Sequence, residues 1–363
     1  MTQSSSQFDV AVIGAGMAGL ACAQQLKQAG YRVVVLEKSR GVGGRMATRR
    51  FHGIFADHGT CYLTPKGDRF QAFVNQLLEA GILRVWTDLI YEMEPDAGLI
   101  SPLRENRLDD RYPRYIAPNG MTAIAKFLAT DLEIRLNQRA HTLELTPEHH
   151  WRLLTELTTP DSPASAPASV LVDAVVVTVP APQAVGLLQS LPEALLPAEF
   201  MDDLRSVEFL PCLSVISGYA PEHYAAWLTQ YPDLQAVTFS HHPAIAWLGV
   251  DSNKRLAPDQ PVFVIQSTAS FAKNYLEVTD LQAAGRLLLQ HATEQMAVPW
   301  LSTPAWVQVH RWRYAFAKKP LPDTYLVAPT PIPLIVAGDW CGGMKAENAF
   351  LSGLAAAQYL DQQ

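Results

Sequence analysis

A glycine-rich turn near the start of the chain constrains its fold more than any other feature. Gly14, Gly16 and Gly19 form the pattern GxGxxG between a strand predicted over Phe8 to Ile13 and a helix predicted over Leu20 to Gln28. The first glycine of such a pattern makes a tight turn, the second lets the backbone approach a pyrophosphate, and the third lets helix and strand pack closely. The helix N-terminus then faces the phosphate charge. The turn therefore predicts a dinucleotide-binding unit.

A second strand and an acidic residue complete this unit. Arg32 to Leu36 is rich in valine, as buried parallel strands are, and Glu37 follows it, 18 residues after Gly19. An acid at this place can bind the hydroxyl groups of a ribose. The residues expected to bind the dinucleotide here are Gly14, Ala15, Gly16, Met17, Ala18, Gly19, Glu37 and Lys38.

The next segment indicates which dinucleotide is bound. Gly43, Gly44 and Arg45 follow the second strand closely, and a bidentate guanidinium suits a pyrophosphate that extends past the first site. GxGxxG, then an acid, then Gly-Gly-Arg is the pattern of FAD proteins that include amine oxidases and phytoene desaturases. Because the chain has only one dinucleotide fingerprint, we expect electrons to come directly from an organic substrate and to leave to O₂.

The far end of the chain fits the same superfamily. Gly338 and Asp339 follow an apolar strand, Leu334 to Ala337, and precede a helix predicted from about Glu347 to Leu360. In that superfamily the Asp contacts the ribityl chain of the flavin. The helix N-terminus, around Asn348 and Ala349, would stabilise the negative charge that a reduced flavin gains at N1.

These patterns predict one fold class and a discontinuous domain organisation. We expect an α/β fold (α+β overall), with a Rossmann-like FAD-binding domain of the p-hydroxybenzoate hydroxylase and amine oxidase type and an interleaved substrate domain of mixed sheet and helices. The FAD-binding domain is predicted over residues 1–65, 115–190 and 320–363, and the substrate domain over 66–114 and 191–319. Single strands are predicted over 86–94, 133–145 and 170–179, and a surface loop over the low-complexity segment 158–169. The arginine-rich segment 104–114 is predicted to be either a solvated surface loop or a rim that attracts an anionic substrate.

Composition excludes several other classes of protein. The net charge of −7 argues against a nucleic-acid partner, and no apolar run is long enough for a membrane span. Residues 1–7 are short and polar, so we expect no signal peptide and a cytoplasmic protein. The four cysteines are far apart and form no metal-ligand spacing, so no disulfide framework and no metal are expected. Cys61 and Cys341 lack the surroundings of a flavin tether, so FAD is predicted to be held non-covalently.

Longer segments of the chain resemble one family, the renalases. The segment 43–48 is shared by the whole amine-oxidase superfamily, whereas the segments 243–255 and 262–277 favour renalase. The segments are 43–48 (GGRMAT), 56–64 (ADHGTCYLT), 115–129 (YIAPNGMTAIAKFLA), 243–255 (PAIAWLGVDSNKR), 262–277 (VFVIQSTASFAKNYLE) and 311–313 (RWR).

This resemblance implies a hydride transfer to FAD from isomers of NAD(P)H that carry the hydride at ring position 2 or 6. The products would be NAD(P)⁺ and, with O₂, hydrogen peroxide. Tyr62 and Trp312 match the family's aromatic positions at the active site, and Gln266 stands where animal renalases have His. The segment 340–345 is longer than in animal members. Further residues expected at the cofactor are Met46, His58, Gly59, Thr60, Cys61, Tyr62 and Ala140.

Three other functions remain open from the sequence. The first is an amine oxidase or other small-molecule oxidase, the second a desaturase or porphyrin oxidase for a lipophilic substrate, and the third a flavin-binding sensor without turnover. No motif pairs a base with a nucleophile, so we expect no obligatory general base. His58 is expected to contact the cofactor through its backbone, and the histidines expected to be structural or exposed are His52, His241, His242 and His310.

Overall fold

The computed structural model describes residues 8–51, 53–93, 100–102, 112–158, 168–256, 258 and 260–363. In chain order the strands are β1 (Val10–Ile13), β2 (Val33–Leu36), β3 (Thr48–Phe51), β4 (Ile54–Asp57), β5 (Arg84–Thr87), β6 (Tyr91–Met93), β7 (Ile100–Pro102), β8 (Arg114–Ile116), β9 (Glu133–Arg135), β10 (Gln138–Leu145), β11 (Trp151–Leu157), β12 (Ala168–Val172), β13 (Ala174–Val177), β14 (Glu208–Gly218), β15 (Ala236–Thr238), β16 (Ile245–Val250), β17 (Val262–Ser267), β18 (Trp306–Lys319), β19 (Tyr325–Val327) and β20 (Leu334–Ala337). The α-helices are α1 (Met17–Gln28), α2 (Asp68–Glu79), α3 (Thr122–Leu128), α4 (Ala181–Leu188), α5 (Ala198–Ser206), α6 (Glu222–Gln230), α7 (Ala269–Lys273), α8 (Gln282–Met296) and α9 (Ala346–Asp361).

A six-stranded sheet brings the two ends of the chain together. Its order is β19-β20-β13-β1-β2-β9, and all pairs are parallel except β19 with β20. The central strands are buried on both faces, which explains why Val33–Leu36 and Leu334–Ala337 are continuous apolar runs. Fully burying each such Val, Leu or Ile side chain contributes about 1.5–3 kcal/mol.

Two helices fix the geometry of this sheet around its first turn. Helix α1 is rich in small residues, and α9 packs against it where the backbone of Gly353 meets that of Ala18. A Cβ atom on Gly353 would lie 2.1 Å from the carbonyl oxygen of Ala18, so only glycine allows this approach. The last helix therefore lies beside the first.

A second, mostly antiparallel sheet forms the other large layer. Its seven strands have the order β18-β14-β17-β16-β15-β6-β7, and α8 packs on it. Trp227, Phe263 and Leu288 belong to the apolar cluster beneath this sheet. Among the helices of the described ranges, none is both long and apolar enough to cross a membrane.

The predicted α/β fold class is confirmed, but three predicted strands are each divided in two. Asn137 adopts a positive φ of 56°, which turns the chain between β9 and β10. Asp173 separates β12, in a small sheet with β11, from β13, in the six-stranded sheet. The segment 86–93 contains the end of β5 and all of β6, which pair in different sheets. Residues 94–99, 103–111 and 159–167, which include most of both predicted loops, lie outside the described residues.

Candidate functional site

A cavity of about 1900 Å³ runs from the glycine turn after β1 to the seven-stranded sheet. It collects most of the residues that the sequence predicts for the site, although their binding roles stay predictions. The predicted residues that line it are Gly14, Gly16, Met17, Ala18, Glu37, Lys38, Gly43, Gly44, Arg45, Met46, His58, Gly59, Thr60, Cys61, Tyr62, Ala140, Gln266, Trp312, Gly338, Asp339 and Ala349.

Three predicted cofactor residues do not line this cavity. The backbone N–H of Ala15 donates to the Glu37 carboxylate at 2.8 Å, and Gly19 packs against the turn itself. The Asn348 amide donates to the Gly342 carbonyl at 2.9 Å and accepts from the Lys345 N–H at 3.2 Å. These three residues support the cavity wall without lining it.

The turn between β1 and α1 presents an open helix N-terminus to the cavity. Gly14 has a φ of 106°, which favours glycine. Gly16 is the N-cap of α1, and no side chain caps the helix. Nothing lies within 4 Å of a Cβ atom built on Gly16, so the space beside these amides is empty. Unsatisfied amides at such a place attract an anion.

Glu37 is held at the end of β2 by backbone hydrogen bonds. One carboxylate oxygen accepts from the N–H of Ala15 at 2.8 Å and the other from the N–H of Ser39 at 2.7 Å. The residue is buried, so its orientation is fixed before any ligand binds. Each carboxylate oxygen keeps a further lone pair that can accept from a ribose hydroxyl.

Arg45 and Asp339 pair across almost the whole chain. The guanidinium donates to both carboxylate oxygens at 2.6 Å, in the bidentate geometry that arginine favours. The sequence predicts each residue at the cofactor but gives no signal that they meet. Their pairing ties the Gly-Gly-Arg loop to the turn after β20.

A loop from His58 to Tyr62 leads into an aromatic wall. The Tyr62 ring lies 5.7 Å from that of Trp247 and 6.1 Å from that of Trp86, centroid to centroid. The Arg114 guanidinium carbon lies 5.7 Å from the Tyr62 centroid. Arg114 is buried, so this member of the predicted surface loop 104–114 is not a solvated residue. Trp247 lines the cavity and was not predicted at the site, although it belongs to the renalase-like segment 243–255; Trp86 contacts Tyr62 but does not line the cavity.

A second aromatic group contains Trp312. The indole N–H donates to the His58 carbonyl at 2.8 Å, and the two rings stack with centroids 5.2 Å apart. His310, predicted to be structural or exposed, packs on both rings and lines the cavity. Burial, and then the nearby Arg49 charge, lowers the pKa of His58 to about 4. Burial, followed by His58 and Arg49, lowers the pKa of His310 to about 4.

Gln266 joins the loop to the second sheet. Its side-chain N–H donates to the Gly59 carbonyl at 2.9 Å and approaches the Cys61 sulfur at 3.6 Å. A Cβ atom on Gly59 would lie 2.0 Å from the Arg45 carbonyl oxygen, so the loop sits directly on the Gly-Gly-Arg segment. The amide of Gln266 is therefore oriented by backbone that is itself fixed.

The cysteines offer little nucleophilic or redox chemistry. All four are buried free thiols, and burial raises the pKa of Cys61 to about 11. A thiolate at Cys61 is therefore scarce at neutral pH. Within the described ranges no cluster of His, Cys, Asp and Glu side chains could hold a metal ion.

The residues present fit FAD. An elongated cavity, an open helix N-terminus with empty space at Gly16, and a fixed carboxylate at the end of the second strand match an extended dinucleotide. The turn after β20 and Ala349 at the start of α9 line the same cavity, where the isoalloxazine would meet a second helix N-terminus. Fold and site define a flavin-dependent oxidoreductase.

Comparison with protein families gives the particular family. The profile described as "Flavin containing amine oxidoreductase" matches residues 80–361, and that described as "NAD(P)-binding Rossmann-like domain" matches residues 12–77. The first match covers more than half of the chain. The chain belongs to the flavin-containing amine oxidoreductase family.

Two curated relatives each match a short segment of the chain. A "Putative flavin-containing monoamine oxidase AofH" of Mycobacterium tuberculosis is 44% identical over 69 residues, 19% of this chain and 15% of that protein. An "L-amino-acid oxidase" of Crotalus adamanteus is 44% identical over 66 residues, 18% of this chain and 13% of that protein. The chain thus matches about one seventh of the length of these relatives.

Solved structures match the whole fold at low sequence identity. Putrescine oxidase bound to putrescine has a TM-score of 0.71 at 14% identity, covering 98% of this chain and 99% of that chain. Cyclohexylamine oxidase from Brevibacterium oxydans has a TM-score of 0.72 at 14% identity, with coverage of 98% and 99%. These likenesses establish the amine-oxidase fold and nothing about substrate.

Proposed function

We propose that this protein oxidises isomeric dihydronicotinamide dinucleotides, with the hydride at ring position 2 or 6, to NAD(P)⁺. The charge of the cavity is the observation that carries the proposal. Of the lining residues that the structure describes, twelve are Lys or Arg and three are Asp or Glu, in a chain whose net charge is −7. One dinucleotide, FAD, accounts for only part of this positive charge. A second anionic dinucleotide as substrate accounts for a further part, while Arg139 and Arg313 are already paired with Glu156 and Glu277 outside the cavity lining.

The charge of the cavity also argues against the main alternative, a flavin amine oxidase. Amines are cations at neutral pH, and a cavity dominated by Lys and Arg lowers the local concentration of cations. The alternative rests on the family and on the fold shared with putrescine and cyclohexylamine oxidases. Because that likeness is at 14% identity, it carries no substrate preference. Reduction of the flavin by dihydronicotinamides or by amines distinguishes the two candidate functions.

The proposed reaction requires the protein to position the nicotinamide ring of the substrate. FAD, when bound, would supply the hydride acceptor and the means of passing the electrons on to O₂. In a dihydropyridine the ring nitrogen drives hydride loss and the ring becomes aromatic, so no group of the protein has to remove a proton. Tyr62 and Trp312 offer flat surfaces against which the nicotinamide ring can lie, and the anchored amide of Gln266 can face its carboxamide.

Anaerobic flavin reduction tests this proposal. Under anaerobic conditions the yellow protein should be bleached quickly by a preparation enriched in 2- or 6-dihydro-NAD(P). Ordinary 4-dihydro-NADH, benzylamine and putrescine should reduce it slowly or not at all. The reason is distance, because the donor carbon must come within about 3–3.5 Å of flavin N5. Stopped-flow absorbance near the flavin maximum gives the rates.

Variants of the aromatic residues sharpen the test. Tyr62→Ala and Trp312→Ala should each slow reduction by the isomers about 10–100-fold while FAD stays bound, since a misplaced ring reacts poorly. Trp312→Phe keeps a flat ring but loses the hydrogen bond to the His58 carbonyl, so it should fall between. Bleaching by amines and not by the isomers would make the protein an amine oxidase. A flavin that is reduced neither by the isomers nor by amines would favour a flavin-binding sensor without turnover.

Flavin reduction should also be independent of pH between about 6 and 8.5. His58 and His310, whose rings face the cavity, each have a pKa lowered to about 4, so both stay neutral throughout this range. His58→Asn and His310→Asn should each keep the reduction rate within about tenfold, whereas losing a general acid or base typically costs 10²–10⁴. A larger loss that follows a pKa near neutrality, with FAD still bound, would show that one imidazole acts as a base.

A further inference from the structure

Arg49 occupies a defined place above the second aromatic group. It lies on β3, and its Nε–H donates to the Gln308 side-chain oxygen at 2.7 Å. Gln308, His310 and Trp312 alternate along β18, so the three side chains share one face of that strand. Arg49 therefore lies over the face that carries His310 and Trp312, and all three residues line the cavity.

The Arg49 side chain is exposed and its charge has no carboxylate partner among the described residues. No carboxylate of the described ranges forms an ion pair with it, whereas Arg45 pairs with Asp339 and Arg313 with Glu277. Its terminal nitrogens form no hydrogen bond within the same ranges; its one bond is from Nε to Gln308. The charge also reaches both imidazoles, since it contributes to the lowered pKa of His58 and of His310.

We propose that Arg49, with His310 beside it, binds a phosphate group of the dinucleotide substrate. This inference rests on the proposed function and names the part of the substrate that the subsite takes. A guanidinium with a free edge matches a phosphate bidentately, and a neutral imidazole can donate one further hydrogen bond without adding charge. The His58 ring packs on both His310 and Trp312, and its backbone carbonyl accepts the Trp312 indole N–H.

The spacing along β18 agrees with one dinucleotide spanning both groups. Residues two apart on a strand lie about 6.6 Å apart and residues four apart about 13 Å apart. With the nicotinamide ring on Trp312, whose ring centroid lies 4.2 Å from that of His310, the adjoining ribose would meet His310, and Arg49, anchored on Gln308, lies beyond it. In a dinucleotide the pyrophosphate follows the nicotinamide ribose, which is the order in which this face presents its residues.

Binding of ADP-ribose to the FAD-loaded protein tests the subsite without any turnover. ADP-ribose carries the pyrophosphate but no nicotinamide ring, and adenosine, which has no phosphate, is the matched ligand control. Wild-type protein should bind ADP-ribose and not adenosine, measured by calorimetry or by perturbation of the flavin spectrum. Arg49→Gln should raise the dissociation constant about tenfold, and Arg49→Lys, which keeps the charge but not the fork, should fall between.

A surface variant controls for overall charge. Arg205→Gln changes the net charge equally on α5, where Arg205 pairs with Asp202 and does not line the cavity, so it should leave ADP-ribose binding unchanged. FAD content and thermal midpoint confirm that each variant is folded. Equal ADP-ribose binding by wild type and Arg49→Gln, or none by wild type, would overturn the subsite. Either result holds whether or not dihydronicotinamides reduce the flavin, so this test and that of the proposed function fail separately.

Discussion

Replacing Asp251 by Ala is expected to lower the free energy of unfolding by about 3–5 kcal/mol. Asp251 pairs with Lys254 at 2.9 Å and with Arg255, and Arg255 also pairs with Asp57 at 2.9 Å. All four side chains are at most 10% exposed. Burial alone would raise the pKa of Asp251, but Lys254 and Arg255 outweigh it and hold that pKa below its ordinary value. Without Asp251, two buried cations share one carboxylate.

The network matters because Asp57 precedes the loop that carries Tyr62. One oxygen of Asp57 accepts from the Thr48 hydroxyl at 2.7 Å and from the Met121 N–H at 2.9 Å, while the other faces Arg255. Four separate segments of the chain thus meet at one carboxylate. Loss of Asp251 should therefore also loosen FAD retention, which filtration followed by flavin absorbance would show.

Two controls separate an unpaired buried charge from a general loss of packing. Asp251→Ala combined with Lys254→Met removes one charge of each sign, so the double variant should recover part of the lost stability. Glu277→Gln breaks the exposed pair with Arg313 and should cost less than about 1 kcal/mol. Chemical unfolding curves give all three values. An Asp251→Ala loss no larger than that of Glu277→Gln would contradict the buried network.

The residues predicted to bind the cofactor meet in one cavity because the patterns that identify them are local. A glycine turn, the strand before it and the helix after it are adjacent in sequence, and so are Gly338 and Asp339 after β20. Each local pattern specifies a backbone geometry, and parallel strands then bring their carboxyl ends to one edge of a sheet. The pairing of Arg45 with Asp339 could not be predicted, because it depends on side chains 294 residues apart.

The predicted substrate side of the cavity was harder to predict, because it depends on contacts between segments that are distant in sequence. Trp247 and His310 come from two strands, β16 and β18, and nothing in a strand's own sequence says which face borders a cavity. Arg49 is ordinary in sequence and becomes distinctive only where it meets Gln308 without a carboxylate partner among the described residues. The predictions for Tyr62, Trp312 and Gln266 rest on the family resemblance rather than on periodicity.

Replacing Gly19 by Ala is expected to destabilise the protein by at least about 3 kcal/mol and to abolish FAD retention. A Cβ atom at this position would lie 1.9 Å from the Gly14 carbonyl oxygen and 2.6 Å from the Thr178 hydroxyl oxygen. The first obstacle is backbone and cannot rotate away. The Thr178 hydroxyl is itself fixed, since it donates to the Ile13 and Gly14 carbonyls. Relief would require α1 to move away from β1.

Gly16→Ala is the matched control, since it adds the same methyl group three residues earlier. Nothing lies within 4 Å of a Cβ atom there, and the φ of −81° suits alanine, so stability without FAD should change by less than about 0.5 kcal/mol. Its effect should appear only with FAD, as weaker retention, because the methyl occupies the space where the pyrophosphate approaches the backbone. Thermal midpoints of both variants, with and without FAD, separate the two glycines. Wild-type stability and FAD content in Gly19→Ala would show that strand and helix do not approach as closely as the turn requires.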